Sequence, residues 1–438
     1  MLPLNLVREH PEVVREALAK RHTEAPLDEI LALDASRRAI LTEVEALRAE
    51  RNAISKEIGA LVQQARDESV PQKERIHAQH RRDDLTARST FLGEQLESKE
   101  AALREQEQQL NLLLLQVPNV PDERVPVGTD ESENVVVRQW GEPKQFDFKA
   151  RPHWELGESL GIIDFERGIK LAGSRFYVLR GAGARLERAL IQWMLDSNTS
   201  RGYTEVYTPA MVKEESMWSG GWLPKFAENM YHDAEEDYWW LPTAEVALTN
   251  LHRSEVLEGE SIPLHYAAYT PCFRREKMSA GRDVRGIKRG HQFDKVELYK
   301  LVAPEASGEA LDTMVGDVEA LCRALEIPYR IVQLCTGDLG FNAAITYDIE
   351  LWAPGSDEWL EVSSCSNCSD FQARRANIRF RRDKKARPEY LHTLNGSGMA
   401  LPRTLIAVME TYQQADGTIA VPATLRPYMG GLQTITKQ

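Results

Sequence analysis

Between Asp28 and about Gln64 the apolar residues step along the chain by three and four in alternation: Ile30, Leu33, Ile40, Val44, Leu47, Ile54, Ile58 and Leu61, with Arg37 and Arg51 filling the two gaps. That spacing is the seam of a coiled coil and predicts a helix of about 35 residues, about 50 Å long. After a polar break, ARDESVPQ, the spacing resumes at Ala78, Leu85, Leu92, Leu96, Leu103 and Leu110. Pro71 suits the start of this second helix, since its fixed φ and missing N–H cost nothing there. Two long helices joined by a short turn should fold back as an antiparallel hairpin. A single seam offers too little apolar surface to pack widely, so the hairpin is expected to project from a larger body.

The helical pattern stops at QVPNVPDERVPVG, where Pro118, Pro121 and Pro126 preclude continuous helix. The expected division is therefore a helical arm over residues 1–112, with the coiled coil at about 28–110, a Pro-rich boundary at 113–127, and a second domain at 128–438. A chain of 438 residues is long enough for at least two folding units. All nine tryptophans fall after the prolines, among strand-like runs such as YTEVYTPAMV, YDIELWA and EWLEVSS and helical stretches such as ARLERALIQWMLD. Strands interleaved with helices read as an α+β body.

Several function classes are disfavoured by simple features. The N-terminus, MLPLNLVREH, is charged by position 9, and no run of about 18 apolar residues could span a bilayer. A soluble, unexported, cytoplasmic protein with no membrane partner is expected. Five cysteines, Cys272, Cys322, Cys335, Cys365 and Cys368, form an odd, scattered set, which fits reduced thiols. Cys365 and Cys368 make a lone CxxC without a second pair of ligands, so no zinc is expected. The net charge of -13 speaks against non-specific coating of nucleic acid.

Charge is nevertheless uneven. Folding the hairpin at its break brings Arg48, Arg51 and Lys56 near Arg81, Arg82 and Arg88, a basic band on an acidic chain. Such a band is either a solvated surface with pairs like Glu45 and Arg48 or a grip on a phosphate backbone. A second basic stretch, YTPCFRREKMSAGRDVRGIKRGHQFDKVELY from Tyr269, gathers Arg274, Arg275, Lys277, Arg282, Arg285, Lys288 and Arg289 between strand-like ends. Cations on a glycine-containing hairpin suit a polyphosphate, because guanidinium forks match phosphate oxygens. An ordinary basic loop would have the same composition.

This stretch resembles motif 2 of the class II aminoacyl-tRNA synthetases: an FRxE strand, a variable loop, and a returning strand of the HQFxKVE kind. LNGSGMALPRTLIAVMETYQ resembles their motif 3, with Arg403 as its arginine, and RGYTEVYTPAMV resembles motif 1, with Pro209 at the position associated with the dimer interface. LPTAEVALTN, SAGRDVRG, EVSSCSNCSDFQARR and TLNGSG look specifically like the seryl-tRNA synthetase family, and the resemblance runs over nearly the whole chain. Lys277 and Met278 depart from the Ala-Gly pair usual after the FRxE glutamate, and Pro402 from the Gly common before the motif 3 arginine. Neither departure removes a catalytic side chain.

The resemblance implies an α+β fold: an N-terminal antiparallel α-helical coiled-coil hairpin followed by a class II catalytic domain on an antiparallel β-sheet flanked by helices. It implies a serine-tRNA ligase that activates L-serine with ATP and transfers it to tRNA(Ser), with tRNA(Sec) as a candidate further substrate, and that works as a homodimer. Arg274 and Arg403 take the catalytic positions, and the ATP-binding set is Arg274, Arg275, Glu276, Phe293, Glu361, Val362, Ser363, Ser364 and Arg403. Within it Arg274 lies between the reactants, Glu276 and Phe293 hold adenine, and Arg403 covers its other face. Glu361 and Ser364 are implied ligands of magnesium, which favours oxygen donors and accompanies phosphates. Thr243, Ala244, Glu245, Arg274, Glu297, Asn395 and Ser397 match the serine-binding positions. Glu297 is open to a second reading, as a strand-face carboxylate paired with Lys295 or Lys300. For the hairpin the resemblance favours the phosphate grip, on the long variable arm of the tRNA, through Arg48, Arg51, Lys56, Arg81, Arg82 and Arg88. An inactive binding protein on this scaffold is disfavoured by the intact Arg274, Glu276, Glu361 and Arg403.

Overall fold

A computed structural model describes residues 1–277 and 285–437. The chain forms two compact units, one of Leu4–Glu12 with Ala25–Val117, the other of Met1–Pro3, Val13–Glu24 and Pro118–Gln438. Met278, Arg282 and most of SAGRDVRG lie outside the described residues. Among the described residues no helix is long and apolar enough to cross a membrane.

In the first unit, α1 (Leu27–Arg66) and α2 (Gln72–Leu114) form the hairpin. Its turn is closed by Asp67, whose carboxylate accepts from the Ser69 N–H at 2.9 Å, and Pro71 stands immediately before α2. The helices run antiparallel, since Glu57 meets Arg81, Glu50 meets Arg88 and Arg48 meets Glu100. The seam is the expected one: Ile30, Val44 and Ile54 are buried from α1, and Ala78, Leu92, Leu96 and Leu110 from α2. Each large seam side chain contributes about 1.5–3 kcal/mol. Asp34 is the exception, a carboxylate only 1% exposed, held by Arg37 at 3.0 Å and Arg38 at 3.2 Å.

The second unit is built on an eight-stranded sheet. Its members are β1 (Val135–Trp140), β2 (Thr204–Glu205), β3 (Leu264–Phe273), β4 (Gln292–Val302), β5 (Tyr329–Gln333), β6 (Ile345–Ala353), β7 (Glu358–Asn367) and β8 (His392–Ala400). The order is β1-β5-β6-β7-β8-β4-β3-β2. Every pairing is antiparallel except β2 with β3 at the edge. Three helices, α3 (Gly181–Thr199), α4 (Ser307–Ala324) and α5 (Leu401–Thr411), join the sheet in the main core.

Period-2 alternation along β4 assigns its two faces. Val296, Leu298 and Val302 enter the core shared with the helices, while Tyr299 and Leu301 join a second apolar cluster with Ala244, Leu248 and Ala373. Both faces are thus covered, which is why KVELYKLV reads as a nearly continuous buried run. The glycines of TLNGSG explain the close approach of α4: a Cβ on Gly396 would stand 2.8 Å from Met314 Sδ and 2.9 Å from Cys365 Sγ.

Candidate functional site

On the sheet face opposite α3 and α4, the ends of β3, β4, β7 and β8 frame a cavity of about 460 Å³. Phe293, Lys295 and Glu297 line it from alternate positions of β4, and Asn395 and Ser397 from alternate positions of β8. Arg274 follows directly on β3, Arg403 lies in the first turn of α5, and Thr243 and Glu245 come from the start of the short helix Glu245–Asn250. Residues from widely separated stretches of sequence therefore converge on one space.

At one end the groups are cationic and aromatic. The Arg274 guanidinium lies 5.2 Å from the centroid of the Phe293 ring and 5.6 Å from that of Trp222, and its Nε donates to Pro242 O at 3.2 Å. Glu276 adopts φ 53° and accepts from Arg289 Nη1 at 3.0 Å. Arg403 Nη1 donates to Glu361 O at 2.7 Å and pairs with Glu361 Oε1 at 3.0 Å. The Arg403 fork on α5 is thus tied to Glu361 of β7.

Glu361 and Ser364 both line the cavity, although three residues apart on β7. A regular strand would turn them to opposite faces. The register against β6 shifts between Ile349 and Glu350, which face Ser363 and Glu361, so Val362 is the extra residue of a bulge. Val362 consequently points into the core, as does Ser363, whose hydroxyl donates to Ser397 O at 2.6 Å.

The other end holds two buried carboxylates. Glu297, 2% exposed, accepts from Thr243 Oγ1 at 3.0 Å and pairs with Lys295. Lys300 turns to the opposite face, donating to Ala310 O at 3.1 Å and Thr313 Oγ1 at 2.8 Å. Of the two partners open in the sequence, Lys295 is the one used. Burial raises the Glu297 carboxyl above its ordinary value, and Lys295 opposes the shift. Glu245 is pushed up to about 7, first by burial and then by the Glu297 charge, and Gln372 donates to it. This end is thus lined by buried hydrogen-bonding groups around an open space, which is what recognition of a small polar substrate requires.

Ala244 and Arg275 are not part of the cavity wall. Ala244 is buried in the apolar cluster, and Arg275 lies over the Tyr231 ring at 5.2 Å. Of the basic stretch, Lys288 and Arg289 line the cavity, whereas Arg285 stacks on Trp154 at 5.1 Å. Cys368 reaches the wall and Cys365 lies behind it. Burial pushes the Cys365 thiol up to about 12, so it stays protonated.

An anchor that no motif revealed fixes the returning stem of the basic stretch. The Ile287 N–H donates to His153 Nε2 at 3.2 Å, and His153 Nδ1 lies 3.0 Å from Glu410 Oε1 on α5. Gly286 has φ 80°, and a Cβ there would stand 2.1 Å from His153 Nε2. The stem carrying Lys288 and Arg289 and the helix carrying Arg403 are thereby tied through one buried imidazole. The glycine at 286 is the only local signal of this contact.

On the hairpin, Arg48 pairs with Glu100 of the other helix rather than with Glu45, and Arg81, Arg82 and Arg88 pair with Glu57, Asp83 and Glu50. Arg51 is exposed, its guanidinium over Gly93 where a Cβ would meet Cζ at 3.7 Å, and Lys56 is exposed. Pro209 is exposed beyond edge strand β2, beside Tyr207 at 91% and Met211 at 47% exposure.

An antiparallel sheet with an FRxE strand, a motif 3 helix and a cation-lined cavity defines a class II aminoacyl-tRNA synthetase. A family model of the class II tRNA synthetase core domain (G, H, P, S and T) matches residues 226–412, and one of the seryl-tRNA synthetase N-terminal domain matches residues 1–121. The chain is 60% identical over 442 residues to the serine-tRNA ligase of Thermomicrobium roseum, covering 100% of this chain and 95% of that one. It is 56% identical to the serine-tRNA ligase of a Roseiflexus species, over the full length of both. The crystal structure of seryl-tRNA synthetase from Pyrococcus horikoshii complexed with ATP superposes with a TM-score of 0.91 at 38% identity, covering all of both chains. The chain belongs to the seryl-tRNA synthetase family, the ATP-dependent ligases that join serine to tRNA.

Proposed function

We propose that the cavity binds ATP at the end formed by Arg274, Phe293, Glu276 and Arg403, and serine at the end formed by Glu297, Thr243, Glu245, Asn395 and Ser397. The serine carboxylate attacks the α-phosphorus of ATP, pyrophosphate leaves, and the terminal ribose hydroxyl of tRNA then takes the seryl group from AMP. No step needs a protein nucleophile. Arg274, between the two ends, holds the carboxylate and α-phosphate together and stabilises charge developing on the phosphoryl oxygens. Phe293 stacks on adenine, Glu276 holds its amino edge, and Arg403 faces it from the other side.

Serine is selected by the pair that carries this reading, the buried Glu297 carboxylate with the Thr243 hydroxyl at 3.0 Å. A serine hydroxyl adds a hydrogen bond to this already paired couple, whereas the alanine methyl can only desolvate it without giving one in return. Glu361 and Ser364, both oxygen donors on the ATP side, fit magnesium. The ion when bound neutralises phosphate charge. Arg403, held ready by Glu361, adds its own charge beside the phosphates.

The hairpin is assigned to tRNA(Ser), and to tRNA(Sec) as a further substrate, through phosphate contacts of its basic band rather than base reading. A homodimer through the motif 1 segment is supported by exposed Tyr207 and Met211 around Pro209, and the cytoplasm is the fitting compartment. The decisive experiment is pyrophosphate exchange with each of the twenty amino acids in turn. Serine alone should sustain rapid exchange; equal exchange with another amino acid overturns the assignment.

A further inference from the structure

One wall of the cavity is a loop, Gly340–Ala343, whose backbone is held from outside. Arg21 Nη1 donates to Leu339 O at 3.1 Å and to Gly340 O at 3.2 Å, and its Nη2 donates to Ala343 O. The Asn119 N–H donates to Phe341 O at 3.0 Å, and Asn119 Nδ2 donates to Asn342 O at 2.9 Å. The consecutive carbonyls from Leu339 to Ala343 are thus all claimed by two residues, 7% and 4% exposed. Arg21 is buried against carbonyl oxygens rather than a carboxylate, a costly arrangement in which its Nη1 and Nη2 carry the contacts while its Nε has no partner among the described residues. The two residues lie far apart in sequence, just before the hairpin segment begins at Ala25 and just after it ends at Val117.

The wall leads to the amino-acid end by a short chain of contacts. Asn342 Nδ2 donates to Gly220 O at 3.1 Å, and Gln372 Nε2, beside Gly220 O at 3.4 Å, donates to Glu245. Phe341 packs against Phe226 and Phe371 at 6.5 and 5.9 Å between ring centroids. The ATP groups Glu276 and Arg403 are held from elsewhere, by Arg289 and Glu361, while Arg274, which serves both ends, is held by Pro242 and by the Trp222 ring that packs on Phe226.

We propose that Arg21 and Asn119 are positioning residues for serine: by fixing the carbonyls of the Leu339–Ala343 wall they hold the Glu245 end of the cavity in its binding shape. This rests on the assignment of that end to serine. The test is pyrophosphate exchange by full-length Arg21→Gln, Arg21→Lys and Asn119→Ala enzymes, with thermal melts of each. Loss of about two buried hydrogen bonds should raise the serine KM about tenfold and leave the ATP KM within about twofold. Lysine, a point charge that cannot fork across three carbonyls, should recover only part of the loss. Unchanged serine KM in folded variants, or an equal rise for serine and ATP, overturns the proposal. Should Arg21→Gln fail to fold, Asn119→Ala decides alone. A parent enzyme without serine-dependent exchange would instead overturn the site assignment, and this proposal with it.

Discussion

Glu361 and Ser364 face one cavity from the same strand although they stand an odd three positions apart, because Val362 is bulged out between them. The bulge turns a spacing that should divide two oxygen donors into one that unites them. Ser364→Ala should therefore raise the magnesium concentration for half-maximal exchange by on the order of tenfold while the serine KM moves little. Manganese binding in the presence of ATP, followed by paramagnetic resonance, checks this without turnover; an unaltered titration contradicts the ligand assignment.

On the proposed role of Arg274 as a charge-assisted contact to the reacting phosphoryl group, Arg274→Ala should lower serine activation by on the order of 10²–10³. The hydrogen bond from its Nε to Pro242 O is one that a side chain reaching into an open cavity can give up with little effect on the fold. Exchange kinetics with a melting control measure both.

Glu297→Gln keeps the volume but replaces an acceptor oxygen that serves Thr243 and Lys295. The preference for serine over alanine, as the ratio of specificity constants, should fall by about tenfold or more. An unchanged ratio would make Glu297 a structural partner of Lys295.

Glu187, on α3 in the main body, carries a buried Oε2 without a partner among the described residues, and burial pushes its carboxyl up to about 8. Because the folded chain holds this proton more tightly than the unfolded chain, stability drains away as the pH rises from about 4.5 to about 8. Glu187→Gln should thus match the parent at pH 5 and exceed it at pH 9 by on the order of 1–3 kcal/mol. Urea melts at the two pH values give the difference directly.

Neutralising Glu50 and Glu57 to glutamine should release Arg88 and Arg81 from their pairs, and tighten tRNA binding most at low salt. The opposite change, Arg51→Gln with Lys56→Gln, should weaken it and flatten the salt dependence by somewhat under one unit of slope for each phosphate no longer neutralised. Filter-binding titrations at several salt concentrations distinguish these. Parallel, unshifted titrations for both variants would mean the hairpin does not hold the phosphate backbone.

Much of the cavity lining was legible because its residues sit in short local patterns. Arg274 and Glu276 are fixed by FRxE, Phe293 and Glu297 by their alternation on the returning strand, and Asn395 and Ser397 by NGSG. Arg275 within FRxE, Val362 and Ser363 within EVSS, and Ala244 within LPTAEV have side chains that face elsewhere, because a motif states which residues are near and not which way a bulged or turning backbone aims them.

The sequence by itself determined the hairpin and its seam, because a heptad-like period acts between residues three and four apart and needs no distant partner. It also determined which polar types crowd the cavity, through motifs contiguous in the chain. Only the tertiary structure decided that Lys295 rather than Lys300 meets Glu297, that Arg48 crosses to Glu100, and that Arg21 and Asn119 grip carbonyls more than two hundred residues away. Those choices depend on which face of a strand, or which root of a helix, is brought against another by the burial of the core. That burial rewards apolar area without regard to sequence distance, so no local pattern carries its outcome.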